Sequence, residues 1–574
     1  MNATLNPWDD AMKAMSQALS APLGTGKSRT FDPVAVAGAM NDFAFRMAAR
    51  PDALVSAYVQ GAQQWTDFWL KAINPAGGGG AEAPKRKDRR FSSKTWEEDP
   101  WYRAIRDSYL LASDQMRGLV DSVEENSPQH AMVGFLLDSW LNAVSPTNFV
   151  MTNPDVLERT VETKGANLAR GFANMLEDLA EGKGIVRRRT DPNAFEKGKT
   201  IAATPGQVVF QNKLFQLIQY DPVTPDVAAE PLLYVPPLVN RFYMIDLVPR
   251  QSLVKWLTEQ GRTVFVVSWV NPTAEHRDCG VEDYVVDGVL EALRVTRERT
   301  AAKVDFFSFC LGGTLVAIAL AYLAAQKRSD EVNSATLIGS MVDFADMRDW
   351  SAFVHEAHLD ALDEHLARQG YIDSAELQRL FSAMRANDLI WSSVVNHYLL
   401  DKQAPPSDLL YWFEDGARIP AGFLTSYNRE LLHGNRLREP GAFEVRGVPI
   451  DLGAIEVPIL SIALKDDHVS SVKAVYDGAR LLNADFVLGG SGHNAGVINP
   501  PANNKHGFWT NDAQSKNGGL DTPEEWLESA TRHEGSWWPW WQQWLTAHGS
   551  GKRVPAREIA DGIEPAPGSY AKAD

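Results

Sequence analysis

Two hydrophobic rhythms divide the chain. Over residues 1–73 the large apolar side chains Trp8, Met12, Met15, Phe43, Phe45, Met47, Trp65, Phe68 and Trp69 follow a helical period. This amphipathic segment reads either as a packed helical layer or as a surface for a lipid-like body or a partner protein. Residues 74–90 read as a flexible linker, from the glycine run Gly77–Gly80 to the charged stretch Lys85–Arg90, which reads as a solvated face. Residues 91–204 predict a helical N-terminal domain, with helices over Trp101–Leu111, His130–Val144 and Asp155–Leu179. From about residue 205 the rhythm changes: short apolar runs at Leu232–Val235, Thr263–Ser268, Val304–Phe309, Ala335–Ser340, Pro458–Leu464 and Asp485–Leu488 alternate with helical stretches such as Ile245–Gln260 and Tyr284–Arg299. Such alternation predicts an α/β core with a mostly parallel sheet and helices on both faces. It is interrupted over 345–455, a helical or irregular insertion that reads as a cap or lid and separates a first core part, 205–344, from a second part with the C-terminal tail, 456–574.

The run Val304–Phe309 turns abruptly into a helix rich in Ala, Leu and Ile, and the turn reads Ser308-Phe309-Cys310-Leu311-Gly312. This is close to the G-x-S-x-G nucleophile elbow of the α/β-hydrolase fold, with Cys in place of Ser. Small residues two before and two after the nucleophile let neighbouring backbones approach. Gly312 meets that need, and Ser308 is slightly larger than the usual Gly. The N-terminus of the following helix favours a thiolate. The competing reading is a buried structural cysteine.

A catalytic thiol needs a base, and the base an orienting carboxylate. On this fold they follow the nucleophile in the order acid, then His. The last two strands are followed by Lys465-Asp466-Asp467-His468 and by Gly489-Gly490-Ser491-Gly492-His493, both at the sheet edge from which Cys310 projects. Cys310 and His493 therefore stand as nucleophile and base, with Asp466 and Asp467 competing as the acid and His468 as a less suitable base. The oxyanion hole calls for the backbone N–H of Leu311 and one from the loop after Leu232–Val235. There Pro236 and Pro237 donate nothing, leaving Leu238 or Val239. An acyl-cysteine is itself a thioester, so the acyl group stays activated for a hydroxyl acceptor.

Composition narrows the field. A net charge of -17 argues against nucleic-acid binding and requires a local basic pocket for an anionic substrate, for which Arg187–Arg189 and Arg241 are candidates. Two cysteines, Cys279 and Cys310, exclude a disulfide framework and fit a reducing cytoplasm. No signal peptide or transmembrane segment is expected. Among 18 tryptophans, Trp537, Trp538, Trp540, Trp541 and Trp544 cluster, and read as cover for an apolar surface or a partner contact.

The sequence resembles the class I polyhydroxyalkanoate synthases. The matches include Ser145-Pro-Thr-Asn-Phe149, Gly165 with Asn167-Leu168 and Arg170-Gly171, Cys310-Leu-Gly-Gly-Thr314, Asp467-His468, Gly492-His493 with Ala495-Gly-Val497, and Gly535-Ser-Trp-Trp538. The resemblance implies an acyltransferase that polymerises (R)-3-hydroxyacyl-CoA, short-chain 3-hydroxybutyryl-CoA foremost, onto a growing polyester chain with release of CoA. It implies Cys310 as nucleophile, His493 as base and Asp467 as the acid. It further implies a cytoplasmic homodimer at the surface of storage granules, with no cofactor or metal. Ser308, Val270, Asn494 and Ala417-Arg418 depart from the family pattern. A cysteine hydrolase on the same fold and a non-catalytic granule-coating protein are the alternative readings.

Overall fold

The computed structural model describes residues 33–73, 88–122, 128–180, 190–402, 405–511 and 522–573. They fall into two compact units. One takes the chain up to residue 189 with 351–358 and 376–405, and the other takes 190–350, 359–375 and the chain from 406 onward.

The first unit is helical: Pro33–Ala48, Pro51–Ile73, Pro100–Asp121, Pro128–Ala143, Pro154–Glu162 and Ala166–Ala180. Most of these open on proline, whose fixed φ suits the first helical turn and whose missing N–H is not needed there. The side chains of Asp99 and Asn153 cap two of them. The helix expected over Asp155–Leu179 is broken by a turn at Thr163–Gly165, where Gly165 has φ +84. The charged run Lys85–Arg90 is not simply a solvated face. Its first three residues lie outside the described ones, and Arg90 is largely buried, bonded to Asp88, Tyr109 Oη (2.8 Å) and Asn142 Oδ1 (3.2 Å). Residues 376–402 of the insertion pack within this unit. Asn167 Nδ2 donates to the Leu399 carbonyl (2.7 Å), Tyr398 Oη to Asp178 Oδ2 (2.8 Å), and Arg170 pairs with Asp401. A Cβ on Gly171 would lie 1.7 Å from the Tyr398 carbonyl oxygen, so only glycine allows this approach.

The second unit is built on an eleven-stranded sheet. In chain order its strands are β1 Gly206–Gln211, β2 Phe215–Tyr220, β3 Leu232–Val235, β4 Val264–Trp269, β5 Val304–Phe309, β6 Val332–Ile338, β7 Ile459–Leu464, β8 Asp485–Gly489, β9 Phe508–Thr510, β10 Thr531–His533 and β11 Glu564–Pro565. Their spatial order is β10-β9-β8-β7-β6-β5-β3-β4-β2-β1-β11. The six from β4 to β8 pair in parallel, whereas β1, β2, β9, β10 and β11 join antiparallel. The parallel strands are near-continuous apolar runs because helices cover both faces. The helix after β5, Leu311–Ala325, is buried almost all round, which explains its lack of a polar face.

The helix expected over Ile245–Gln260 is shorter. A turn at Phe242–Asp246 precedes a helix over Leu253–Glu259, capped by Ser252, and Pro249 lies between them. The tryptophans of the late cluster are core residues rather than a partner surface: Trp537, Trp538, Trp541 and Trp544 are buried, on and just before the helix Trp538–His548. Among the described residues no helix is long and apolar enough to cross a membrane, and no group of three or more metal-ligating side chains gathers.

Candidate active site

Four loops leave the carboxyl ends of β3, β5, β7 and β8, and each carries a predicted site residue. The sharpest turn follows β5. Cys310 adopts φ 52 and ψ -129, a conformation that costs a non-glycine residue roughly 1–3 kcal/mol. Its N–H donates to the Ile338 carbonyl (2.9 Å) and its carbonyl accepts from Gly313 N (2.9 Å), so strand β6 and the first helical turn hold the strain from both sides. A Cβ on Gly312 would sit 2.2 Å from the Val235 carbonyl oxygen. One on Gly313 would sit 2.0 Å from Ser340 Oγ and 3.2 Å from Ser308 Oγ. The larger residue at 308 is thus accommodated: its hydroxyl donates to the Thr336 carbonyl (3.2 Å), and Gly313 leaves it room.

Asp467 and His493 are brought together from the loops after β7 and β8. His493 Nδ1 donates to Asp467 Oδ2 at 2.6 Å, with Asp467 3% and His493 6% exposed. The other carboxylate oxygen accepts from Val469 N (2.8 Å) and Ser470 N (2.9 Å), so the acid is saturated and fixed. The Ser470 hydroxyl in turn donates to the Gly339 carbonyl (2.7 Å), tying this loop to the end of β6. Gly339, at φ +54, lies beneath the pair; a Cβ there would be 3.4 Å from Asp467 Oδ2 and from His493 Nδ1. Asp466, the competing acid, is exposed and uses its backbone N–H on Ser491. His468 lies with its ring 6.4 Å from that of His493.

Burial lowers the basicity of His493, but the neighbouring Asp467 charge, the Cys310 sulfur and hydrogen bonds to both more than offset it and push the imidazole up to about 10. The arrangement therefore favours a proton on His493.

Leu311 opens its helix, so its N–H has no acceptor four residues back. The contact of Gly312 with Val235 and Pro236 lays the loop 236–240 alongside the elbow. That loop is braced by its carbonyls and its amide side chain. The Pro236 carbonyl accepts from Trp269 Nε1 (2.9 Å), the Val239 carbonyl from Ala417 N (3.1 Å), and Asn240 Nδ2 donates to the Trp412 carbonyl (3.3 Å). The neighbouring Arg418 N donates to Asn271 Oδ1 (3.0 Å), and its guanidinium lies over the Tyr371 ring at 5.2 Å. Arg241 is no anion site. It is 5% exposed, and its guanidinium donates to the carbonyls of Tyr570 (3.0 Å) and Ala573 (2.5 Å). Arg187–Arg189 lie outside the described residues. Periodicity could not reveal the role of the tryptophans. Trp537 Nε1 donates to the Gly496 carbonyl (2.8 Å) and Trp538 Nε1 to that of Val497 (3.0 Å), both in the loop of His493.

A strand-to-helix elbow beside a buried acid–imidazole pair, at the carboxyl edge of a mostly parallel sheet, defines an α/β-hydrolase-fold protein, and residues 238–500 match the family described by that fold. Residues 87–257 match the family described as the N-terminus of poly-beta-hydroxybutyrate polymerase. A poly(3-hydroxyalkanoate) polymerase of Methylorubrum extorquens is 39% identical over 537 residues, covering 91% of this chain and 87% of the relative. The corresponding polymerase subunit of Cupriavidus necator is 40% identical over 498 residues, covering 85% and 83%. The chain belongs to the poly(3-hydroxyalkanoate) polymerase family. Among solved structures, a monoacylglycerol lipase of Paleococcus ferrophilus aligns at 15% identity with a TM-score of 0.30, over 58% of this chain and 99% of that one.

Proposed function

We propose that the protein polymerises (R)-3-hydroxyacyl-CoA, with 3-hydroxybutyryl-CoA as the preferred monomer, into polyester with release of CoA. The observation that carries this reading is the Asp467–His493 bond at 2.6 Å beside a strained Cys310, in a chain of this family. In the first half-reaction the thiol proton resides on His493 and the thiolate attacks the thioester carbonyl. The N–H groups of Leu311 and of Leu238 or Val239 hold the oxyanion. Collapse expels CoA, whose sulfur takes the proton from His493. In the second, His493 takes the proton of a 3-hydroxyl on another acyl unit or on the growing chain. That oxygen attacks the acyl-cysteine, the ester forms, and the Cys310 sulfur is released.

Asp467 acts by orienting His493 and stabilising its charge. Support for this role, rather than activation of the substrate hydroxyl, is that one carboxylate oxygen is bonded to the imidazole and the other to two backbone amides. The reading extends to a homodimer working at the surface of cytoplasmic storage granules.

The test is CoA release and polymer formation from 3-hydroxybutyryl-CoA. Cys310→Ala is expected to abolish both. Cys310→Ser should fall by about 10²-fold or more, because an alcohol is far harder to ionise. Polymer made at the wild-type rate by Cys310→Ala would overturn the assignment. Free hydroxy acid accumulating in place of polymer would point to a hydrolase.

A further inference from the structure

We propose that Trp537 and Trp538 are positioning residues for His493, seating the imidazole through the backbone of its loop; this rests on the reading of His493 as the base. His493 lies in a tight turn closed by Gly496 N donating to the Gly492 carbonyl (2.7 Å). The turn is too crowded to hold a side chain at 496, where a Cβ would lie 2.6 Å from Leu464 Cδ2 and 2.9 Å from the Gly490 carbonyl oxygen. Beyond it the carbonyls of Gly496 and Val497 point into the interior, where an unpaired acceptor is costly; that of Val497 also accepts from Asn499 N (3.1 Å). Two consecutive indole N–H groups meet these two consecutive carbonyls, at 2.8 and 3.0 Å. The donors are rigid, since the Trp537 side chain is 1% and the Trp538 side chain 0% exposed and the Trp538 ring packs on Trp256 with centroids 5.5 Å apart.

The same element also grips the nucleophile's side. Trp541 Nε1 donates to Thr336 Oγ1 (2.9 Å), its ring lies 5.5 Å from that of Phe307, and the Thr336 carbonyl accepts from Ser308. One tryptophan-rich segment thus fixes the base loop and the strands leading to the thiol in a common frame.

Trp544 provides an internal control. It lies on the same helix, and its indole donates to Asp485 Oδ2 at 2.8 Å, at the start of β8 rather than in the loop after it. Trp537→Phe, Trp538→Phe, the double variant and Trp544→Phe are compared for kcat and KM of CoA release from 3-hydroxybutyryl-CoA and for thermal midpoint, with His493→Ala alongside. Each of the first two should lower kcat about tenfold and the double about 10²-fold with KM unchanged, because small displacements of a catalytic group carry penalties of that size. Trp544→Phe should lose comparable thermal stability while keeping kcat. Where a phenylalanine variant fails to fold, benzothienylalanine at that position, which has the indole shape without the N–H, replaces it. If His493→Ala is inactive while Trp537 and Trp538 variants match Trp544→Phe in kcat, the positioning role is overturned and the base assignment stands. If His493→Ala retains turnover, the base assignment itself falls.

Discussion

At the scale of single residues, glycines at 312 and 313 do different work. Gly312 faces backbone, the Val235 carbonyl, whereas Gly313 faces the side chains of Ser340 and Ser308. Gly313→Ala should therefore destabilise the protein by about 1–3 kcal/mol and be largely rescued by Ser340→Gly, whereas no side-chain change should rescue Gly312→Ala. Urea unfolding midpoints of the single and double variants check this. His493 sets a pH dependence. Its native basicity, up to about 10, exceeds the ordinary value of 6.5, so the folded chain holds a proton that the unfolded chain releases in between. The stabilisation is complete below 6.5 and is lost as pH rises toward about 10, so the thermal midpoint should fall across that window. Cys310→Ala should make the fall shallower, since the sulfur is one of the groups that raise the imidazole. Cys310 and His493 were legible as candidates from the turn motif, the chain order and the glycines around the proposed base. The choice between Asp466 and Asp467 was not legible locally, because what separates them is a bond to a ring 26 residues away. Family resemblance, not spacing, pointed to Asp467.

At the scale of elements, the parallel strands could be read because burial on both faces makes them uninterrupted apolar runs. The antiparallel β1 and β2 could not. The buried glutamines of β2 break the pattern, and the partners that make them tolerable come from far along the chain: Gln216 Nε2 donates to Ser569 Oγ (2.9 Å) and Gln219 Nε2 to the Arg557 carbonyl (3.1 Å). The helix Ala166–Ala180 shows the converse, a local feature with a distant purpose. Gly171 is a weak helix former, yet only its bare Cα admits the backbone at Tyr398, 1.7 Å from where a Cβ would lie. Gly171→Ala is expected to loosen residues 376–402 rather than strengthen the helix. Faster proteolytic cleavage within that stretch, with the midpoint of unfolding lowered, is the expected outcome.

At the scale of the whole molecule, remote parts of the sequence supply the supports of the site. Arg241 follows the loop of Leu238 and Val239, and its buried guanidinium donates to the carbonyls of Tyr570 and Ala573. Arg241→Met removes those bonds and should lower the thermal midpoint, and by freeing the loop it should reduce kcat more than it raises KM. Steady-state kinetics on the purified variant check the split. The tryptophan frame carries this dependence into time. A chain emerging from the ribosome exposes its thiol long before Trp537 and Trp538 have been translated, and until they arrive the carbonyls of Gly496 and Val497 have no indole to meet. On the positioning role proposed for these two indoles, a nascent chain should reach full turnover only after both have been made and packed.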